Sequence, residues 1–187
     1  MSVKKCRVCK AHFEPFNTLQ RVCGPSCAAK HAENERGKAD RREAAEYRAR
    51  TKPKKSLLTE AQRAFNSYIR MRDSGAPCIS CELFKNHSSL SGHAMDAGHW
   101  YGVGAHPELR FTLWNVRPQC VACNRDLSGH PHGYENGLLK RFGREWVEGR
   151  KQQARDKQPN HYSRDDLRRI KRIFTKRQRL YARLFRS

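Results

Sequence analysis

The sequence predicts an α+β fold: a small, zinc-stabilised core with a second zinc knuckle before it and basic α-helices on either side. Two observations carry this. The eight cysteines fall into four close pairs, Cys6/Cys9, Cys23/Cys27, Cys78/Cys81 and Cys120/Cys123, with none left over. Only 37% of the 187 residues are apolar and the mean hydropathy is −0.95, so burial alone is a weak source of stability and metal ligation is the usual reinforcement. Two sets of four thiolates match two closed, structural Zn²⁺ sites, whereas a disulfide framework is more usual in a short secreted chain.

Residues 1–31 form the first module: Phe13 and Phe16 are expected to cover the metal, Gly24-Pro25 to turn the chain, and Cys27 to open a helix. Residues 32–55 read as a basic helical connector, because Ala28 to Arg50 is rich in Ala, Glu, Lys and Arg and has no β-branched residue. Pro53 ends that run. Residues 56–150 are the main domain. It opens with a helix whose Leu58, Ala61, Phe65, Tyr68 and Ile69 recur at three- and four-residue intervals, stopped by Gly75 and Pro77. It closes with a Gly-rich loop and one short helix over 137–149. Gly149 to Asn160 is predicted to be a linker within the last segment, 151–187. That segment continues as a basic helix from Ser163, where Ser163 and Asp166 have the spacing of a capping box.

Lysine and arginine number 39 against 18 acidic residues, a formal charge of +21. Two four-thiolate zinc sites lower this to about +17. So basic a chain requires an anionic partner, and the phosphate backbone of DNA is the first expectation. Candidate phosphate contacts are Arg117, Arg125, Lys140 and Arg141, and on the last helix Arg168, Arg169, Lys171, Arg172, Lys176 and Arg177. No apolar run suits a secretory leader, a membrane span or a membrane-surface helix, which predicts a cytoplasmic protein with no membrane partner. Nothing calls for a small-molecule cofactor.

The segment from Cys78 to Asn124 carries the chemistry. Cutting a phosphodiester takes a base to deprotonate water and a cation to stabilise charge on the phosphoryl and leaving oxygens. His99, in DAGHW, is the candidate base, since a neutral imidazole titrates near neutrality. His87, His93 and His106 are competitors. Asn115 stands 16 residues after His99 and five before Cys120, placed to hold the loop that aims the base; an ordinary turn residue is the alternative. Asn124 directly follows Cys123 and offers a hard oxygen to Mg²⁺ or Mn²⁺, or else caps a helix. Asp96 is the nearest carboxylate to His99. A bulge at Ala97-Gly98 would bring it beside the base. Asp126 and His130 are reserve ligands.

These spacings are those of an HNH nuclease, in which a β-hairpin bears the base and a following helix bears a metal ligand. The stretches KKCRVC, VCGPSC, AFNSYIRMRD, PCISC, DAGHWYGVGAHPELRF, QCVACN and LSGH closely resemble the lambdoid-phage NinG (Rap) proteins over most of the chain. The core is also similar to phage recombination endonuclease VII. The resemblance implies a ββα-metal fold and a structure-specific endonuclease acting on D-loops and Holliday junctions in the bacterial host cytoplasm. It further implies His99 as base and Asn124 as metal ligand. Gly98 departs from the pattern, standing where many such enzymes carry an acid. Because a junction presents two symmetric strands, a homodimer fits the same reading. The rival is a zinc-containing nucleic-acid-binding protein without catalysis, which explains the charge and the cysteines but leaves His99 and Asn115 without a role.

Overall fold

A computed structural model describes residues 3–83, 95–159 and 161–184. His87, His93 and the end of the last helix at Arg186 lie outside them. The chain divides into two compact units, Met1–Pro53 and Lys54–Ser187.

In the first unit a two-stranded antiparallel ribbon, β1 (Lys4–Lys5) and β2 (His12–Phe13), frames the Cys6–Cys9 turn. Helix α1 (Pro25–Thr51) follows, with Pro25 in its first turn and Cys27 its one buried residue. The remaining turns are solvated, so local propensity rather than a buried stripe sustains this helix. Phe16 does not cover the cysteines as expected: it is 93% exposed, on a loop whose own hydrogen bonds hold it away from them.

In the second unit α2 (Lys54–Arg72) buries Leu57, Ala61, Phe65 and Ile69, the helical stripe read from the sequence with Leu57 in place of Leu58 as its first buried member. Its apolar face meets α5 (Arg164–Leu184). Leu167 packs with Leu57 and Ala61, and Phe174 sets its ring edge-on to Phe65 at 4.8 Å. Two helices with single apolar stripes each supply the cover the other lacks, so α5 is part of the core. The capping box is formed: Ser163 N–H donates to Asp166 Oδ2 at 2.8 Å, and Asp166 N–H donates to Ser163 Oγ at 3.1 Å.

The hairpin β3 (Asp96–His99) and β4 (Val116–Gln119) pairs antiparallel, Asp96 opposite Gln119 and His99 opposite Val116. The ladder runs unbroken through Ala97–Pro118 and Gly98–Arg117, so the expected bulge is absent. Side chains alternate between faces along a strand. Ala97 and Val116 turn to Phe65, Ile69 and Phe174, while Gly98 and Gln119 share the other face. Tyr134 reaches the Gly98 carbonyl from outside the hairpin.

Beyond the hairpin a π-helical turn (Ala122–Asp126) leads to α3 (Pro131–Phe142) and α4 (Arg144–Asp156). One short helix was expected over 137–149, followed by a linker; instead two helices meet at Gly143, whose φ of +80° suits glycine. The supposed linker is mostly α4. Val147 and Ala154, seven residues apart, anchor it, and beyond its end Lys157 Nζ donates to Thr112 Oγ1 at 2.8 Å. The unit is thus mixed α+β and mostly helical. Among the described residues no helix is long and apolar enough to cross a membrane.

Candidate functional site

Both cysteine sets converge. The four sulfurs of Cys6, Cys9, Cys23 and Cys27 lie within 4.8 Å of one another, as do those of Cys78, Cys81, Cys120 and Cys123. None of the eight cysteines is joined in a disulfide. Separations of 3.5 Å (Cys9–Cys23), 3.6 Å (Cys23–Cys27) and 3.9 Å (Cys81–Cys120) suit the edge of a tetrahedron, about 3.8 Å when Zn–S is about 2.3 Å. Each cluster could hold a metal ion, and four soft ligands leave no open position, as in structural zinc.

The two knuckle turns repeat one geometry. Cys6 N–H donates to Ala11 O and Lys10 N–H to Cys6 O; likewise Cys78 N–H donates to Leu83 O and Glu82 N–H to Cys78 O. Lys10 and Glu82 share a left-handed backbone, φ 65° and 61°. Such turns aim N–H groups at sulfur: burial pushes the Cys6 thiol up, but the N–H groups of Cys9, Val8 and Cys23 outweigh it and bring it down to about 6. Cys78 is lowered in the same way, with Cys120 N–H 3.3 Å from its sulfur. A lowered thiol pKa favours the thiolate that binds metal.

His99 closes β3. Its Nε2 lies 3.0 Å from the carbonyl oxygen of Arg110. A carbonyl only accepts, so Nε2 carries the proton of the neutral ring and Nδ1 is its basic nitrogen, with the Ala97 backbone also in hydrogen-bonding reach of the ring. Burial pushes the imidazole below its usual range; the Arg110 carbonyl opposes this in part. The ring therefore stays neutral and able to accept a proton. The Arg110 guanidinium in turn donates to Gln62 Oε1 of α2 at 3.2 Å, tying the loop to the helix.

Asn115 is fully buried and fastens the loop after His99. Its Oδ1 accepts from Tyr101 N–H at 2.8 Å, and its Nδ2 donates to Tyr101 O at 3.1 Å and Leu109 O at 3.3 Å. Its own carbonyl accepts from Trp100 N–H at 2.9 Å. Burial of the amide is thus offset by these bonds, as is usual for a buried polar group. The loop that places Arg110 over His99 is thus pinned at both ends.

Asp96 and Asn124 meet elsewhere. Asn124 Nδ2 donates to Asp96 Oδ2 at 2.9 Å, and Arg125 spans the same carboxylate at 2.8 and 3.0 Å. Asp96 is three residues from His99, about 10 Å along a strand, and projects from the opposite face. The structure brings Asp96, Asn124 and Arg125 together but not to His99. Oxygen donors of this kind suit Mg²⁺, yet both carboxylate oxygens are taken by Arg125, so a cation fits only if that side chain leaves. Asp126 is exposed and His130 begins α3, neither of them joined to the trio by a hydrogen bond among the described residues.

Three residues unremarked in the sequence shape the hairpin. Gln119 is fully buried and fills the space beside Gly98: a Cβ there would run into the Gln119 amide oxygen and lie 2.8 Å from its Cβ, so no acid fits at 98 without displacing Gln119. Tyr134 donates its hydroxyl to Gly98 O at 2.9 Å. Arg110 acts through its carbonyl. Of these, Gln119 and Arg110 stood inside quoted stretches, QCVACN and DAGHWYGVGAHPELRF, and Tyr134 in none.

The candidate phosphate contacts fare unequally. Arg117 is turned inward, bonded to Leu113 O and Val116 O and lying over the Phe142 ring at 4.8 Å. Arg141 binds the Pro77 and Cys78 carbonyls, Lys140 pairs with Glu82, Arg168 with Asp165 and Lys171 with Glu60. Arg177 lies over Phe174 and Tyr68. Arg169, Arg172 and Lys176 are exposed, and with Arg179 and Arg183 they form one solvent-facing stripe on α5.

The family described as Bacteriophage Lambda NinG protein matches residues 1–183. Proteins named ninG from Escherichia phage 933W, Escherichia phage lambda and Salmonella phage P22 are 33%, 34% and 34% identical over 163, 160 and 155 residues. Those alignments cover 78%, 75% and 72% of this chain and 78%, 74% and 72% of the relatives. No solved structure matches. With the match running through both cysteine clusters and the hairpin, the chain belongs to the NinG family of bacteriophage proteins.

Proposed function

We propose that this protein is a metal-dependent endodeoxyribonuclease of the HNH type, cutting branched DNA such as D-loops and Holliday junctions during phage recombination. The observation that carries the reading is the His99 constellation: a neutral ring oriented by the Arg110 carbonyl, on a loop pinned by Asn115. A general base requires a neutral imidazole held in a fixed direction. His99 takes the proton of the attacking water at Nδ1, while Nε2–H stays on Arg110 O and stabilises the imidazolium that results. The Cys78–Cys123 cluster holds hairpin and π-helical turn together, and the stripe on α5 engages phosphates. A bound Mg²⁺ or Mn²⁺ supplies charge neutralisation on the phosphoryl and leaving oxygens. Asn124 and Asp96 are the residues that would hold it, once Arg125 has left the carboxylate, about 10 Å along the strand from His99.

A second reading has its own observation. Gln119 fills the space at Gly98 and Arg125 closes Asp96, as in a nucleic-acid-binding protein without catalysis. Incubating the purified chain with a plasmid and a synthetic four-way junction, in Mg²⁺ or Mn²⁺ with and without EDTA, decides between them. EDTA-sensitive strand cuts support the nuclease. Tight binding with no cuts in either metal supports the binder.

A further inference from the structure

The loop between β2 and α1 projects two large apolar side chains into solvent, Phe16 at 93% and Leu19 at 80% exposure. Among the described residues of the first unit nothing covers them, yet the loop is firmly built. Asn17 Oδ1 accepts from the N–H groups of Leu19 at 3.0 Å and Gln20 at 2.9 Å. Phe16 N–H donates to Gln20 Oε1 at 2.6 Å, Gln20 Nε2 donates to Val22 O at 2.9 Å, and Lys4 Nζ donates to Thr18 O at 2.5 Å. Asn17 and Gln20 are spent on fixing the loop's backbone, and the apolar side chains are left outside. A shallow hollow beside it is lined by Lys4, Lys5, Arg7, Thr18, Gln20 and Arg21, four of them cationic. Glu14 is the one acid nearby in sequence.

We infer that Phe16 and Leu19 form a wedge that stacks on unpaired or unstacked bases of DNA, with Lys5, Arg7 and Arg21 on the flanking phosphates. A flat ring beside a branched aliphatic group matches the face of a base, and cations a few residues away match the backbone that carries it. An anionic membrane needs more apolar surface than two side chains provide. Intact duplex is a poor target as well, because opening a base step costs a few kcal/mol, whereas a gap or branch point offers bases already unstacked. The wedge therefore reads discontinuity rather than sequence. This rests on the proposal that the chain acts on DNA.

The test uses the full chain and fluorescence anisotropy on two DNAs of equal length, an intact duplex and the same duplex with a short single-stranded gap carrying 2-aminopurine. Phe16→Ala should weaken binding to the gapped DNA by about 5- to 100-fold, the range of one lost base-aromatic stack. Duplex affinity should stay within about twofold, and the change in 2-aminopurine fluorescence on binding should disappear. Phe16→Trp should retain both, and zinc content should be the same in all three proteins. Equal losses on the two DNAs, or no loss with Phe16→Ala, overturn the wedge and assign the loop to a protein partner or to folding. A wild-type chain that binds neither DNA removes the DNA reading and the wedge with it; one that binds both while Phe16→Ala is silent removes the wedge alone.

Discussion

Arg125 grips both carboxylate oxygens of Asp96, Nε at 2.8 Å from Oδ2 and a terminal nitrogen at 3.0 Å from Oδ1, while Asn124 donates to Oδ2 from the other side. The carboxylate is largely buried and the guanidinium more than half exposed, so the cation is the mobile partner. As placed, Arg125 takes both oxygens that a divalent ion at Asp96 would use.

Arg125→Ala should therefore tighten Mn²⁺ binding in the absence of DNA by about tenfold, consistent with losing one partly exposed cation at contact distance. Titration followed by electron paramagnetic resonance reads this directly. Asp96→Asn in the same background should abolish the gain. If neither variant alters Mn²⁺ affinity, the Asp96–Arg125 pair is structural and no cation binds there.

Metal content is a separate expectation. Protein purified without added zinc should contain about two zinc ions per chain, and Cys123→Ala should lower this to about one. Loss of both ions, or wild-type protein with one or none, contradicts two independent knuckles.

Helix α5 separates stability from charge. Phe174→Ala removes a buried ring that meets Phe65 at 4.8 Å and Tyr68 at 5.4 Å, and should cost about 3–5 kcal/mol in denaturant unfolding. The triple change Arg172→Gln, Lys176→Gln, Arg179→Gln lies on the exposed stripe and should leave stability nearly unchanged. It should flatten the slope of log K against log salt for DNA by about 2–3. An unchanged slope would mean that this face does not meet phosphate.

What could be read in advance and what could not divides along physical lines. Ser163 with Asp166, the α2 stripe and the cysteine sets are local patterns, and each stands in the structure where its spacing put it. Asn115 was legible through its distance from Cys120, although its bonds to Tyr101 and Leu109 were not. His99 is oriented by a backbone carbonyl, which any residue at 110 would supply, so no side chain announces it. α4 was hidden because its anchors, Val147 and Ala154, are two apolar residues among charges with Gly149 between them. Arg117 looked like a phosphate ligand until β4 turned it onto Phe142. Phe16 looked like metal cover until its loop turned it out.

The depressed pKa of His99 fixes a pH profile. Burial lowers it from the usual 6.5, so the neutral, proton-accepting form persists below pH 6.5. Single-turnover cleavage should stay level as pH falls through 6.5 and decline only at lower pH. The same shift bears on folding: below pH 6.5 the unfolded chain takes up a proton that the folded chain does not, so stability falls as pH drops toward the folded pKa. A cleavage limb centred at or above 6.5 would point to a different base.

The central claim is that His99 accepts the proton of the attacking water, and the most direct measurement is the single-turnover cleavage rate of a branched substrate by His99→Ala beside the wild type. Binding should persist, since the zinc clusters and the basic stripe are untouched, while the rate falls by roughly 10²- to 10⁴-fold, the usual size of a general-base contribution. Asn124→Ala should fall comparably and recover in part with excess Mn²⁺. A His99→Ala protein that cuts at the wild-type rate would show that this histidine is not the base and that the hairpin is not an HNH site.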